Sequence, residues 1–184
     1  MSITRCLLIL ALFSIAGSAL ADDLKSGPDK GVKVPELKVY DATGEHKEMD
    51  VDYAADRKDK PTIYVFVQAE KWSRPMNRFL KTLDECVKKS DGDYIVAVWL
   101  TDKADESKEY LPKLQQSVKY EATALTCYSG EKAGPKGWNI NADAHVTVVV
   151  VNKGKVAATR AYQAINETDV PAVDEALKKA KEMG

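Results

Sequence analysis

The thiol and imidazole chemistry open to this chain is small: three cysteines, Cys6, Cys86 and Cys127, and two histidines, His46 and His145. Cys86 and Cys127 could form a disulfide, closing a loop of roughly 40 residues and contributing about 4 kcal/mol if unstrained. They could also cycle as a redox pair. Cys86 has a plainer reading as a buried thiol acting as a small hydrophobe, because it lies on the apolar stripe of a helix. Cys127, beside Tyr128 and Ser129 near a loop, reads as the more exposed and the more reactive of the two. Ser73 would be a nucleophile only with a base beside it, and no Gly-x-Ser-x-Gly elbow surrounds it. Its position ahead of Arg74-Pro75 suits a helix N-cap. Trp72, Arg74, Arg78 and Trp138 are residue types that anchor partners, and they read as an exposed rim for a peptide or protein. For Trp72 the alternative is partial burial over the helix start. His46 falls in a hairpin and reads as solvated, and Asn166-Glu-Thr168 matches a glycosylation sequon short enough to arise by chance.

The frame for these residues begins with a leader. Arg5, an apolar run over residues 6–16 and the small-residue end Gly-Ser-Ala-Leu-Ala21 are the three parts of a secretory signal peptide, with cleavage expected after Ala21. The run is shorter than the roughly 20 residues that cross a bilayer, and no later segment is apolar enough for an integral span. The expected location is therefore exported, periplasmic or extracellular. Removing residues 1–21 leaves 163 residues, enough for one domain with a sizeable core, and takes the formal charge from -1 to -2. That balance gives no field for nucleic acid. With two cysteines left, the apolar core must hold the fold. Residues 22–30, rich in charge and containing Gly27-Pro28, read as a flexible lead-in, and residues 31–184 as the domain.

Residues 31–46 alternate apolar and polar side chains and turn at 41–44, as a half-exposed hairpin would. Residues 62–67, 94–100 and 146–151 are different: their apolar, largely β-branched runs fit strands buried on both faces. Between the first two, Met76, Phe79, Leu80, Leu83, Cys86 and Val87 form one face of a helix over residues 73–89. A second helix over 105–120 carries Tyr110, Leu111, Leu114 and Val118, with Pro112 marking a kink or restart. Residues 122–128 fit a short strand and 130–140 a loop. A turn at 152–155 closes a hairpin, and Thr168 or Asp169 caps a last helix built on Val173, Ala176, Leu177 and Ala180. The order is hairpin, then β-α-β-α-β, then β-β-α.

This order resembles the thioredoxin-like superfamily, in particular its exported thiol-disulfide oxidoreductase and peroxiredoxin-like branch, over roughly residues 31–181. Gly31-Val-Lys-Val-Pro-Glu-Leu37, the Lys60-Pro61 lead into the buried strand, Trp72 ahead of a helix and the Asn-Lys-Gly-Lys hairpin carry the resemblance. It implies a three-layer α/β/α sandwich with a central mixed sheet and an N-terminal β-hairpin extension. It also implies a redox Cys-x-x-Cys after Trp72, where Ser73 and Met76 stand instead. An alcohol scarcely ionises near neutral pH, and a thioether has no proton to lose, so neither forms a mixed disulfide. The family's substrate-positioning cis-proline would fall at His145. Trp72, Ser73, Met76 and His145 are thus the degenerate active-site positions, with no catalytic residue and no cofactor expected.

The reading that follows is a non-catalytic module using the old substrate groove for a protein or peptide partner. The alternatives are an atypical redox protein working through Cys86 and Cys127, and a metal carrier using Met76 and His145 as two soft ligands for copper.

Overall fold

The computed structural model describes residues 24–182; the leader expected over residues 1–21, with Cys6, lies outside them. The three long apolar runs form the centre of one seven-stranded sheet. β3 (Thr62–Gln68) pairs in parallel with β4 (Tyr94–Thr101), which pairs in parallel with β5 (Thr123–Ser129). On its other side β3 takes β6 (Val146–Asn152) antiparallel, and β6 takes β7 (Lys155–Tyr162). An N-terminal hairpin of β1 (Lys38–Asp41) and β2 (Met49–Asp52) joins at β5, giving the order β2-β1-β5-β4-β3-β6-β7. This is the expected mixed α/β sheet with its hairpin extension.

Both faces are covered, because the side chains of each central strand alternate between two cores. Ile63, Val65 and Val67 pack with α2 (Arg74–Val87), α3 (Ala104–Val118) and α4 (Val170–Glu182), through Phe79, Leu83, Leu111 and Leu177. Tyr64 and Phe66 point the other way, into a core closed by Leu37, Trp138, Ile140 and Tyr53. Tyr53 opens a four-residue helix that sequence periodicity is too short to announce, α1 (Tyr53–Asp56), capped by the Asp52 carboxylate. The two parallel crossovers β3-α2-β4 and β4-α3-β5 step in the same direction across the sheet, so their helices share a face.

Several local expectations are revised. The hairpin over 31–46 is displaced: β2 begins after His46, because Asp41 holds a wide connection instead of a tight turn. Its carboxylate, fully buried, accepts from the N–H groups of Thr43, Gly44 and His46 and from the Tyr53 hydroxyl at 2.6–3.0 Å. Burial and this bond push the Tyr53 phenol far above its usual range. The 152–155 turn is as expected, with positive φ at Lys153 (49°) and Gly154 (68°), as a type I′ turn requires. Pro112 interrupts nothing; α3 is one continuous helix. Tyr110 leaves that helix's apolar face and is 42% exposed. At the last helix the cap is Asn166: its side chain accepts from Thr168 N–H while Asp169 accepts from Asn166 N–H, at the head of a 3-10 turn, Glu167–Asp169.

The expectation of a flexible lead-in over 22–30 is also corrected for the residues described. Ser26, Gly27 and Pro28 are buried against the sheet. The Ser26 and Thr147 hydroxyls are 2.6 Å apart, Gly27 N–H donates to Asn139 O, and Thr159 Oγ1 donates to Pro28 O. A charged segment can dock this way because its few small residues face inward and its charges do not. Gly27 has φ +96°, and a Cβ there would strike the Thr159 methyl. Gly27→Ala is therefore expected to cost about 1–2 kcal/mol and to speed proteolysis within residues 24–30. Unchanged urea stability and cleavage would show that this segment is not docked.

Candidate functional site

The site starts where β3 runs out. Its last residue, Gln68, is 3% exposed, and its Nε2 donates to Lys132 O at 2.8 Å. A carbonyl can only accept, so the orientation of the carboxamide is set, and its Oε1 is buried without a partner. A short 3-10 turn, Ala69–Lys71, then redirects the chain to Trp72.

Trp72 is half-buried, with its ring 4.8 Å from Trp99 of β4 at 58° and its Nε1 donating to the Tyr110 hydroxyl at 3.0 Å. These three aromatics and Gln68 line a cleft of about 600 Å³ at the carboxyl ends of parallel β3 and β4. That is where open α/β sheets place their ligands. Its charged rim is largely self-paired: Lys132 with Glu70 at 2.8 Å, and Lys103 with Glu106 at 3.4 Å. The Lys132 bond holds the Glu70 carboxyl below its ordinary range. None of the described lining residues is a cysteine or histidine.

Ser73 does occupy the N-cap position of α2, and its carbonyl accepts from Asn77 N–H at 3.0 Å. Its hydroxyl makes no capping bond, a departure from the role expected of it. Met76 is packed into the apolar core, 5% exposed, as one of the helix-face residues. His145 is half-buried just ahead of β6; its backbone accepts from Gln68 N–H and donates to Tyr162 O, which continues the sheet past the strand end. Arg74 and Arg78 are exposed, the latter paired with Glu167 at 2.9 Å.

Trp138 does not join the rim. It is fully buried in the core of the opposite sheet face, packed on Tyr64 and Phe66, with its Nε1 donating to Glu36 O at 3.0 Å. The glycines around it mark a loop, but an indole in a loop can still be the plug that closes a core, and here it is.

The cysteines are also revised. Both are free thiols. Cys86, near the end of α2, lines a cavity with Leu177 and Lys178 of α4, while Cys127 lines a different one with Tyr40 and Lys108. The expected order of exposure is reversed: Cys127 is 2% exposed and Cys86 half-buried. The reason is that β5 is an interior strand, flanked by β1 and β4, so Cys127 faces the helices. Burial pushes its thiol above the ordinary range.

His46 is half-exposed, its Nε2 3.0 Å from Asp56, with the Glu45 carboxylate in the same cluster, ligand atoms within 4.8 Å of one another. Gln68 and Trp99 were not singled out by sequence. The available signal was Gln68 itself, a polar residue ending an otherwise apolar strand.

No family model and no curated protein matches the chain. Solved structures do. One described as a thiol:disulfide interchange protein DsbE from Chlorobium tepidum superposes with TM-score 0.58 at 20% identity, covering 83% of this chain and 98% of that one. A peroxiredoxin-like protein from Aquifex aeolicus gives 0.58 at 16% identity, with 85% and 88% covered. Peroxidoxin BcpB from Mycobacterium tuberculosis gives 0.59 at 12%, with 85% and 99% covered. Among the described residues no helix is long and apolar enough to cross a membrane. With its strand order and helix placement already in view, these likenesses show that the chain has the thioredoxin-like fold.

Proposed function

We propose that this protein is an exported, non-catalytic binding module that takes a peptide or a segment of a partner protein in the cleft beside Trp72. The observation that carries this reading is a substitution of chemistry at one place. Where a redox protein of this fold would present a thiolate at the start of α2, Ser73 and a core-packed Met76 stand. Next to them lies a cleft lined by three aromatic residues, Trp72, Trp99 and Tyr110. Aromatic side chains offer large contact area at low entropic cost and are common anchors of binding. Export rests on the leader read in residues 1–21.

The second reading, a redox role through Cys86 and Cys127, is favoured by the thiol:disulfide interchange proteins that the fold resembles. It needs two thiols that meet.

The test of the binding reading is selection of peptides from a random heptapeptide library on the immobilised mature protein. Enriched peptides are expected to lose tenfold or more in affinity on Trp72→Ala. No enrichment, or affinity indifferent to Trp72, would overturn it.

A further inference from the structure

At the other end of the sheet from the cleft, the loop between β1 and β2 and the short helix α1 bring Glu45, His46 and Asp56 together, and we propose that they form a site for a divalent cation of the zinc class. The ends are opposite because this loop is tied near the start of β5, with Ala42 N–H donating to Leu125 O and Leu125 N–H donating to Thr43 Oγ1, whereas Trp99, Leu100 and Thr101 at the end of β4 line the cleft. One imidazole nitrogen and two carboxylate oxygens lie within 4.8 Å of one another, and His46 Nε2 and Asp56 Oδ1 are 3.0 Å apart. Zinc bonds such atoms at about 2.0–2.2 Å, which puts tetrahedral ligands about 3.3–3.5 Å from each other. Closing the site therefore takes a movement on the order of 1 Å. The exposed Glu45 side chain is free to make it.

The support for these ligands comes from outside the cluster. Asp41, fully buried, accepts from His46 N–H at 2.9 Å and from the Tyr53 hydroxyl at 2.6 Å, so one carboxylate ties the loop that carries His46 to the first residue of the helix that carries Asp56. The Tyr53 and His46 rings meet edge to face with centroids 5.9 Å apart, which limits where the imidazole can lie. Ligands held this way lose little freedom on binding.

The donor set selects the ion. Imidazole nitrogen suits zinc and its late first-row neighbours, while magnesium and calcium take about six or more ligands, nearly all oxygen. Two carboxylates match the charge of the ion, and three protein ligands leave a fourth position for water. Lys47, the cation next to them in the chain, is turned to Glu48 at 3.6 Å.

The experiment is a calorimetric titration of the untagged mature protein with zinc chloride, with the histidine ring signals followed by NMR and magnesium chloride run in parallel. One zinc ion per chain is expected, shifting the His46 ring signals saturably and leaving those of His145 in place. His46→Ala and Asp56→Asn should each weaken binding tenfold or more, the second while leaving the imidazole a hydrogen-bond partner. Glu45→Gln should weaken it threefold or more. Thermal unfolding without metal confirms that the variants fold.

Absence of saturable binding, an unmoved His46 ring, or affinity indifferent to both His46→Ala and Asp56→Asn would overturn the proposal. Magnesium binding as tightly as zinc would overturn it too, as would a response confined to His145 or the thiols. The site shares no residue with the Trp72 cleft, so either result leaves the binding reading to its own test.

Discussion

Replacing Asp84 by alanine is expected to lower the unfolding free energy by about 3–5 kcal/mol, a large part of the 5–15 kcal/mol that holds an ordinary domain. Asp84 lies on α2 with its side chain fully buried, and its carboxylate gathers the start of β5: Glu121 N–H at 3.1 Å, Ala122 N–H at 2.8 Å and the Thr123 hydroxyl at 2.7 Å. Lys81, at 3.9 Å, is its nearest cation. Alanine would leave three buried or half-buried donors without an acceptor, and each unsatisfied group costs about 1–3 kcal/mol. Asn keeps one accepting oxygen but turns an NH₂ toward N–H groups, so Asp84→Asn is expected to lose a smaller amount, about 1–3 kcal/mol. Urea unfolding of the two variants measures both. A loss under about 1 kcal/mol in the alanine variant would mean that water or a relaxed backbone satisfies the β5 donors. Should that variant not fold, the asparagine variant still reads the bond.

The second large effect separates the binding reading from the redox one. In the native protein an alkylating reagent is expected to label Cys86 within about tenfold of its rate in denaturant, and Cys127 at least about 10³-fold more slowly. The slow thiol reacts only through an opening of the structure, and an opening free energy of about 4 kcal/mol sets that factor. Burial also disfavours its thiolate, the reactive form. Mass after mild peroxide and after mild reductant should show no intramolecular bridge. A Cys86–Cys127 disulfide that native protein forms and loses reversibly would overturn the non-catalytic reading and establish a dithiol outside the usual helix start. Fast labelling of Cys127 would show that β5 opens locally.

The strand runs, the three long helices and their order were legible in the residues, since a run of β-branched side chains and a three-to-four periodicity report local burial directly. Asp84 was half-legible. It stands four residues after Leu80 and three before Val87, on the apolar stripe, and a carboxylate in that position must find donors somewhere. Which donors it finds, 37 to 39 residues further on, is a matter of how α2 crosses the start of β5.

The candidate site shows the same division. That Ser73 and Met76 replace a dithiol is visible in the chain, because chemistry depends on which atoms are present. Trp72, Trp99 and Tyr110 come from three separate elements, and no spacing announces that the ends of β3 and β4 and the flank of α3 converge. Trp138 and Cys127 were misjudged for a related reason. Exposure was inferred from neighbours in sequence, whereas a loop can lay an indole across a sheet and an interior strand can hide a thiol beside a loop.

From its residues alone, this protein is determined as an α/β chain with a thioredoxin-like order of elements and without the thiols of that fold's usual chemistry. Those properties follow from local pattern and composition. Only the tertiary structure decides that Gln68, two indoles and a phenol line one cleft, that the lead-in docks, and that the two thiols line different cavities. Each of these is a relation between groups far apart in sequence, set by the packing of helices on a twisted sheet.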